Sequence, residues 1–318
     1  MKLLKKKSLD ASKLITFTPP KLKVAKTEKT ICNSITFTGI GLHSGKEVIM
    51  TLSPAPINTG YVFRIKKKDQ IFSIDASFEN VKSTQLCTTL GDSHGNTIST
   101  VEHILSALYG LDIDNVFIDL DNHEVPVNDG SSKKFVDEIE RVGISDQQSF
   151  KQYVKILRPI EVSEGEKVAR VLPFNYTMFS TEINYSNQVI GKQSISIMLN
   201  KEIYRSQICE ARTFGLLKDV EALRKAKLAL GGGLDNAIVV DEDKILNPEG
   251  LRFSDEFVRH KLLDFIGDLA LSGKKIIGSF FTSQSGHKLN IKLIQKKLQH
   301  FFQKTKTSHY FILTKETL

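Results

Sequence analysis

Two segments of this chain repeat one pattern, and the repetition limits the folds open to it. "STVEHILSALYG" (Ser99–Gly110) and "RHKLLDFIGD" (Arg259–Asp268) both read as helices, and each places a His seven residues before a Gly: His103 before Gly110, His260 before Gly267. Each is preceded by short β-rich runs and followed by an apolar strand ("NVFIDLD", "KKIIGSFF") and a closing helix ("SSKKFVDEIERVG", "SGHKLNIKLIQKKLQHFF"). An element order that occurs twice predicts an α+β fold of two similar domains from a duplicated β-α-β-α unit. "ISDQQSF" (Ile144–Phe150) marks the division. The expected parts are a mobile basic N-terminal extension over 1–30, a first domain over 31–145, a second over 151–304 and a C-terminal tail over 305–318. The second half also carries an insert, about 211–240, with no counterpart in the first, and insertions on a repeated scaffold are where function concentrates.

The net charge of +8 invites a nucleic-acid reading, but its distribution argues otherwise. Residues 1–30 hold nine Lys against Asp10 and Glu28, so nearly all the excess belongs to that one segment. No run of 18 apolar residues offers a membrane span. Three scattered cysteines without a CxxC pair argue against a disulfide framework and for a reducing cytoplasm. The extension has no Arg and no apolar h-region, so a solvated tail is the simpler reading, with organellar targeting left open.

The later helix holds the chemistry. Ser254 is the expected N-cap, Asp255 and Glu256 suit the first turn, and Gly273 suits the end. On a helical wheel His260, Lys261, Asp264 and Asp268 form a narrow polar stripe on a cylinder otherwise covered by apolar residues. Buried ionisable groups are costly unless paired or metal-bound. His and Asp at i and i+4 can share a metal, but a single such pair is explained more simply by a His–Asp hydrogen bond. A metal needs a further ligand, and His103 stands at the equivalent place in the first half. Two His and a carboxylate with an open position suit catalytic zinc or Fe(II). Ser99 and Glu102 fit a capping box, which gives Glu102 a structural alternative. His287 opens the last helix, where the dipole would lower its pKa. "GIGLHSGKE" has the wrong spacing for a phosphate loop, "LGGGLDN" reads as a flexible turn, and Cys87 reads as a small buried apolar residue.

Taken together, "GIGLHSGK", "STVEHILSALYGLDIDNV", "EVPVNDGSSKKF", "EARTFG", "RHKLLDFIGDL" and "SGHKLN" resemble the UDP-3-O-acyl-N-acetylglucosamine deacetylase family of lipid A biosynthesis, in one order from about Ser34 to Leu298. The resemblance implies a fold of two α+β domains with helix layers packed between two sheets, and a zinc-dependent amidohydrolase, with Fe2+ as the alternative metal, that removes the acetyl group of an acylated UDP-sugar. It implies His103, His260 and Asp264 as zinc ligands and Glu102 as the general base. His287, oriented by Asp268, would be the cationic partner of the oxyanion or the acid for the departing amine. Thr213 would donate to the oxyanion, while Phe214 and Lys261 would contact the sugar nucleotide. It implies a cytoplasmic monomer that binds no nucleic acid and spans no membrane, with peripheral contact left open. The insert's Leu216, Leu217, Val220, Leu223, Leu228 and Leu230 are expected to line an acyl channel. The Lys-rich extension precedes the family's usual start, "GGGLDN" lacks a more polar residue expected there, and no room follows the last helix for the dehydratase domain fused to some relatives. The rivals are a basic RNA-binding α+β protein, disfavoured by the segregated charge, and a catalytically silent relative, disfavoured because the ligand positions and Glu102 are intact.

Overall fold

The computed structural model describes residues 26–67, 70–302 and 310–313. Residues 1–25, most of the expected extension, lie outside them, as do 303–309 and 314–318 of the C-terminal segment. Six helices are described: α1 (Glu102–Gly110), α2 (Lys133–Val142), α3 (Lys201–Gln207), α4 (Leu217–Lys225), α5 (Glu256–Ala270) and α6 (His287–Phe302).

Two sheets flank the helices. One runs in the order Ile35–Ile40, Glu47–Pro54, Val116–Leu120, Tyr61–Lys67, Gln70–Asp75. In the other, Lys275–Ser283 pairs antiparallel with Lys167–Leu172, itself beside Ile160–Glu164, and parallel with Thr177–Asn184, itself beside Lys192–Met198. The strand order within these ten strands is therefore the same in both halves. In each sheet the strand following the central helix is inserted between an antiparallel and a parallel neighbour. A parallel pair cannot be joined by a hairpin and needs a crossover over the sheet face. That topology puts α1 between Tyr61–Lys67 and Val116–Leu120, and α5 between Thr177–Asn184 and Lys275–Ser283. The strands alternate in burial where one face meets helices, as in Glu47–Pro54, where Val48, Met50 and Leu52 turn inward.

The two central helices are the most enclosed elements of the fold. Every residue of α1 is buried, and of α5 all but Arg259 and Lys261. They pack against each other closely enough that a side chain at Gly267 would run into the carbonyl oxygen of Glu102. Gly110, at the other end of α1, gives the same kind of clearance to the ring of Tyr204. The two His–Gly spacings are thus a packing requirement: each glycine sets how near another element can come to α1. One continuous apolar core runs from Phe37 and Phe63 under the first sheet, through Leu105 and Phe265, to Phe179 and Phe280 under the second.

Four local expectations need correction. Helix α5 starts at Glu256, with Asp255 rather than Ser254 at the cap position; Asp255 makes no capping bond and pairs instead with Arg259. The capping box does not form: α1 begins at Glu102, and Ser99 donates to the carbonyl of His123 at 3.2 Å. The segment read as a division, Ile144–Phe150, is a strand paired with Thr27–Ile31, so residues 27–30 of the expected extension lie in a strand. Likewise Tyr310–Leu313, within the expected tail, pairs with Tyr153–Ile156. Gly273 does end α5 with a left-handed backbone, φ 68°, and Cys87 is buried.

Candidate active site

The polar stripe of α5 faces the start of α1. His260 and Asp264 are one turn apart, and the close approach at Gly267 brings His103, second residue of α1, across to them. His260 Nε2 lies 3.3 Å and His103 Nε2 3.7 Å from the same oxygen, Asp264 Oδ1, and the two imidazoles stand perpendicular with centroids 5.1 Å apart. Charge-assisted hydrogen bonds are shorter, about 2.7–2.9 Å, so these distances do not describe a His–Asp hydrogen-bonded pair.

A divalent cation fits this arrangement. Among the described residues, His103, His260 and Asp264 form a buried group whose ligand atoms all lie within 4.8 Å of one another. His260 Nδ1 is engaged by the carbonyl of Ala211 at 3.1 Å, which leaves Nε2 to ligate, as outer-shell carbonyls do for metal-bound His. His103 Nδ1 is buried without a hydrogen-bond partner in the protein. The protonation states also suit ligands, which must shed their protons. Burial first, then His260, drives the His103 pKa down to about 3, and burial lowers that of His260. Burial works against ionisation of Asp264, but His260 and Lys261 outweigh it and hold the carboxyl well below its usual range. Lys261 donates to Asp264 Oδ2 at 3.0 Å.

Glu102 lies beside this cluster and is itself buried. Its Oε2 accepts from the backbone N–H of Thr88 at 3.0 Å, and its Oε1 is 3.8 Å from His287 Nε2. Burial pushes its pKa up, the His287 cation pulls it down, and Asp264 and Asp268 push it up again, to about 7. His287 departs from the helix-dipole expectation. Burial does lower its pKa, but its Nδ1–H donates to Asp268 Oδ2 at 2.8 Å, and that carboxylate, with Glu102 and Asp264, raises it to about 10. A nearby carboxylate outweighs the partial charge of a helix terminus.

These groups open onto a cavity of about 540 Å³ whose walls come from both halves. Glu102, His103, Thr213, Phe214, His260, Lys261, Asp264 and His287 all line it, while Asp268 sits behind His287. All nine residues singled out in the sequence are therefore brought together. Of the insert's six apolar residues only Leu216 and Leu223 line the cavity; Leu217 and Leu230 are 40% and 49% exposed. The rest of the apolar wall comes from Leu42, Leu86 and Leu289.

Several supporting residues carried no local signal. Thr88 and Asn290 both donate to Asp268, at 2.7 and 2.8 Å. Glu256, wholly buried, accepts from the Arg212 guanidinium at 2.9 Å and from the backbone N–H of Arg212 and Arg252 at 3.0 and 2.6 Å, which fixes the strand of chain carrying Ala211 and Thr213. Glu124 accepts from the backbone N–H of His43 and Ser44, both at 2.8 Å, and so holds the loop that the "GIGLHSG" motif forms over the cavity. The "LGGGLDN" segment is not a free turn. Leu230 and Gly231 donate to the carbonyls of His43 and Leu42, and a side chain at Gly231 would meet the carbonyl of Gly41. The glycine is there for contact between two loops.

Comparison with known proteins identifies the family. The family described as LpxC, UDP-3-O-acyl N-acetylglycosamine deacetylase, matches residues 28–299. Proteins named UDP-3-O-acyl-N-acetylglucosamine deacetylase are similar over most of their length. That of Idiomarina loihiensis is 44% identical over 273 residues, 85% of this chain and 89% of the relative. Those of Marinobacter nauticus and Legionella pneumophila (strain Corby) are 47% identical over 271 and 272 residues, with the same coverage. The chain belongs to the UDP-3-O-acyl-N-acetylglucosamine deacetylase family.

Proposed function

We propose that this protein hydrolyses the acetamide of UDP-3-O-(3-hydroxyacyl)-N-acetylglucosamine to the free amine and acetate, with zinc held by His103, His260 and Asp264. The observation that carries the reading is the juxtaposition of that ligand set with Glu102, a carboxyl whose pKa is raised to about 7. The cation supplies Lewis acidity, which makes water a nucleophile near neutral pH and polarises the acetyl carbonyl. Glu102 takes the proton of the attacking water; a base with a pKa near the working pH is matched to that task. His287, kept cationic by Asp268, faces the negative charge that develops on the carbonyl oxygen, and the Thr213 hydroxyl adds a donor there. The departing amine needs a proton, supplied by Glu102 or His287. Lys261 and Phe214, whose ring lies 5.5 Å from the Lys261 ammonium, hold the sugar nucleotide. The apolar cavity wall takes part of the acyl chain.

Metal removal tests this directly. Prolonged dialysis against a strong chelator is expected to abolish turnover of the acylated UDP-sugar, and one equivalent of zinc to restore it. Failure of any divalent metal to restore activity would overturn the reading. Greater recovery with Fe(II) would keep the site and change the metal.

The pH profile provides a second check. Glu102 must be ionised to act, so activity falls as pH drops through its pKa; the bound cation favours the ionised form, placing this limb between 4.5 and about 7. His287 must be protonated, so activity falls again as pH rises through its pKa, between 6.5 and about 10 once the cation has lowered it. A rate that keeps rising past pH 10 would remove His287 from this role.

A further inference from the structure

Thr88 uses every polar group it has on the catalytic apparatus. It is wholly buried in the first half, on the short segment before the strand Thr89–Gly91. Its N–H donates to Glu102 Oε2 at 3.0 Å, its hydroxyl donates to Asp268 Oδ1 at 2.7 Å, and its carbonyl accepts from Val101 N, at the entry to α1, at 3.4 Å. The residue two before it, Leu86, has a left-handed backbone with φ 66°, an unusual conformation for a leucine, at the turn into this position. Asp268 in turn has both oxygens occupied: Oδ1 by Thr88, Oδ2 by His287 Nδ1–H and by Asn290. The first half thus reaches across to fix the carboxylate that orients His287 in the second.

We infer that Thr88 is a positioning residue that sets the base and the cation of the reaction in one frame: its backbone aims Glu102 and its hydroxyl holds Asp268, and through it His287. Its hydrogen bonds go to Glu102, Asp268 and Val101, and to none of the candidate metal ligands. The inference deepens the deacetylase reading above and rests on it. Without the hydroxyl, buried Asp268 Oδ1 has lost its donor, and the carboxylate is held through Oδ2 alone, so its angle to His287 is less closely set. Outer-shell partners of metal ligands typically account for 10–100-fold in affinity or activity, and an effect of that order is expected for this partner of Asp268.

Thr88→Val keeps the shape and the backbone bonds while deleting the hydroxyl, and Thr88→Ser restores a hydroxyl. Per mole of bound metal, Thr88→Val is expected to lose tenfold or more in kcat with KM within about twofold of the parent, and Thr88→Ser to recover most of the loss. A role confined to stability would lower yield and thermal midpoint but leave kcat per metal unchanged, and that result would overturn the inference. So would a folded Thr88→Ser as slow as Thr88→Val. If Thr88→Val does not fold, Thr88→Cys, with a weaker donor of similar size, takes its place under the same criterion. A readout independent of turnover is the downfield imidazole Nδ1–H resonance of His287, expected to move in Thr88→Val and return in Thr88→Ser. An unmoved resonance overturns the inference. A parent enzyme without deacetylase activity would overturn the functional reading, and this resonance would still decide the position of His287.

Discussion

Glu102→Gln is expected to fold normally, hold its metal and bind substrate, yet lose on the order of 10² to 10⁴ in kcat. Glutamine keeps the reach of the side chain and can still accept the Thr88 N–H, but it cannot take a proton. The variant also separates two roles that the sequence left in competition. A capping box accepts Glu or Gln equally, so a purely capping residue would lose nothing. The structure already weighs against that role, since Glu102 is the first residue of α1 and its carboxylate bonds to a distant segment. Thermal midpoint, metal content and kcat measured on this one variant decide it. Near-parental turnover with metal bound would end the case for Glu102 as base.

Arg212→Leu is expected to cost about 3–5 kcal/mol of stability, the penalty typical of breaking a buried ion pair from one side. Glu256 is wholly enclosed, and after the substitution it keeps its two backbone donors but loses the opposing charge. The paired change Arg212→Leu with Glu256→Leu should recover much of that stability, because the cost comes from an uncompensated charge. Activity should not recover with it: Ala211, which holds His260, and Thr213 flank Arg212 and depend on the same anchor. Denaturant midpoints of the single and double variants test the first statement. A single variant within about 1 kcal/mol of the parent would show that Glu256 is satisfied without Arg212.

What could be read from the sequence is what local spacing encodes. The i,i+4 relation of His260 and Asp264 and the matching place of His103 lie within short windows, where helical periodicity determines neighbours. The α+β class followed from an element order seen twice, and the resemblance supplied the helix layers between two sheets. The motif resemblance then supplied roles for Glu102, Thr213 and His287 that spacing could not. What stayed illegible depends on contacts across long stretches of chain. Thr88 is 180 positions from Asp268, and Glu124 is 81 from His43, so no periodicity connects them. The pKa of His287 was misjudged for the same reason: the helix start was visible, but the carboxylate facing it, on another helix, was not. The leucines of the insert were counted as cavity wall from composition alone, whereas burial depends on which way α4 turns, and α4 buries none of its residues.

The enclosure of α1 and α5 has a dynamic consequence. Amides in such elements exchange with solvent only through the largest openings of a protein, so Glu102, His103, His260 and Asp264 are expected to ride on its slowest parts. Functional sites are more often drawn from segments that open cheaply. The cavity edge is built differently, from the less buried loops around Leu42–His43 and Leu230–Gly231, joined by two backbone hydrogen bonds. A change that loosens these loops is therefore expected to alter access to the cavity while leaving His103, His260 and Asp264 in place.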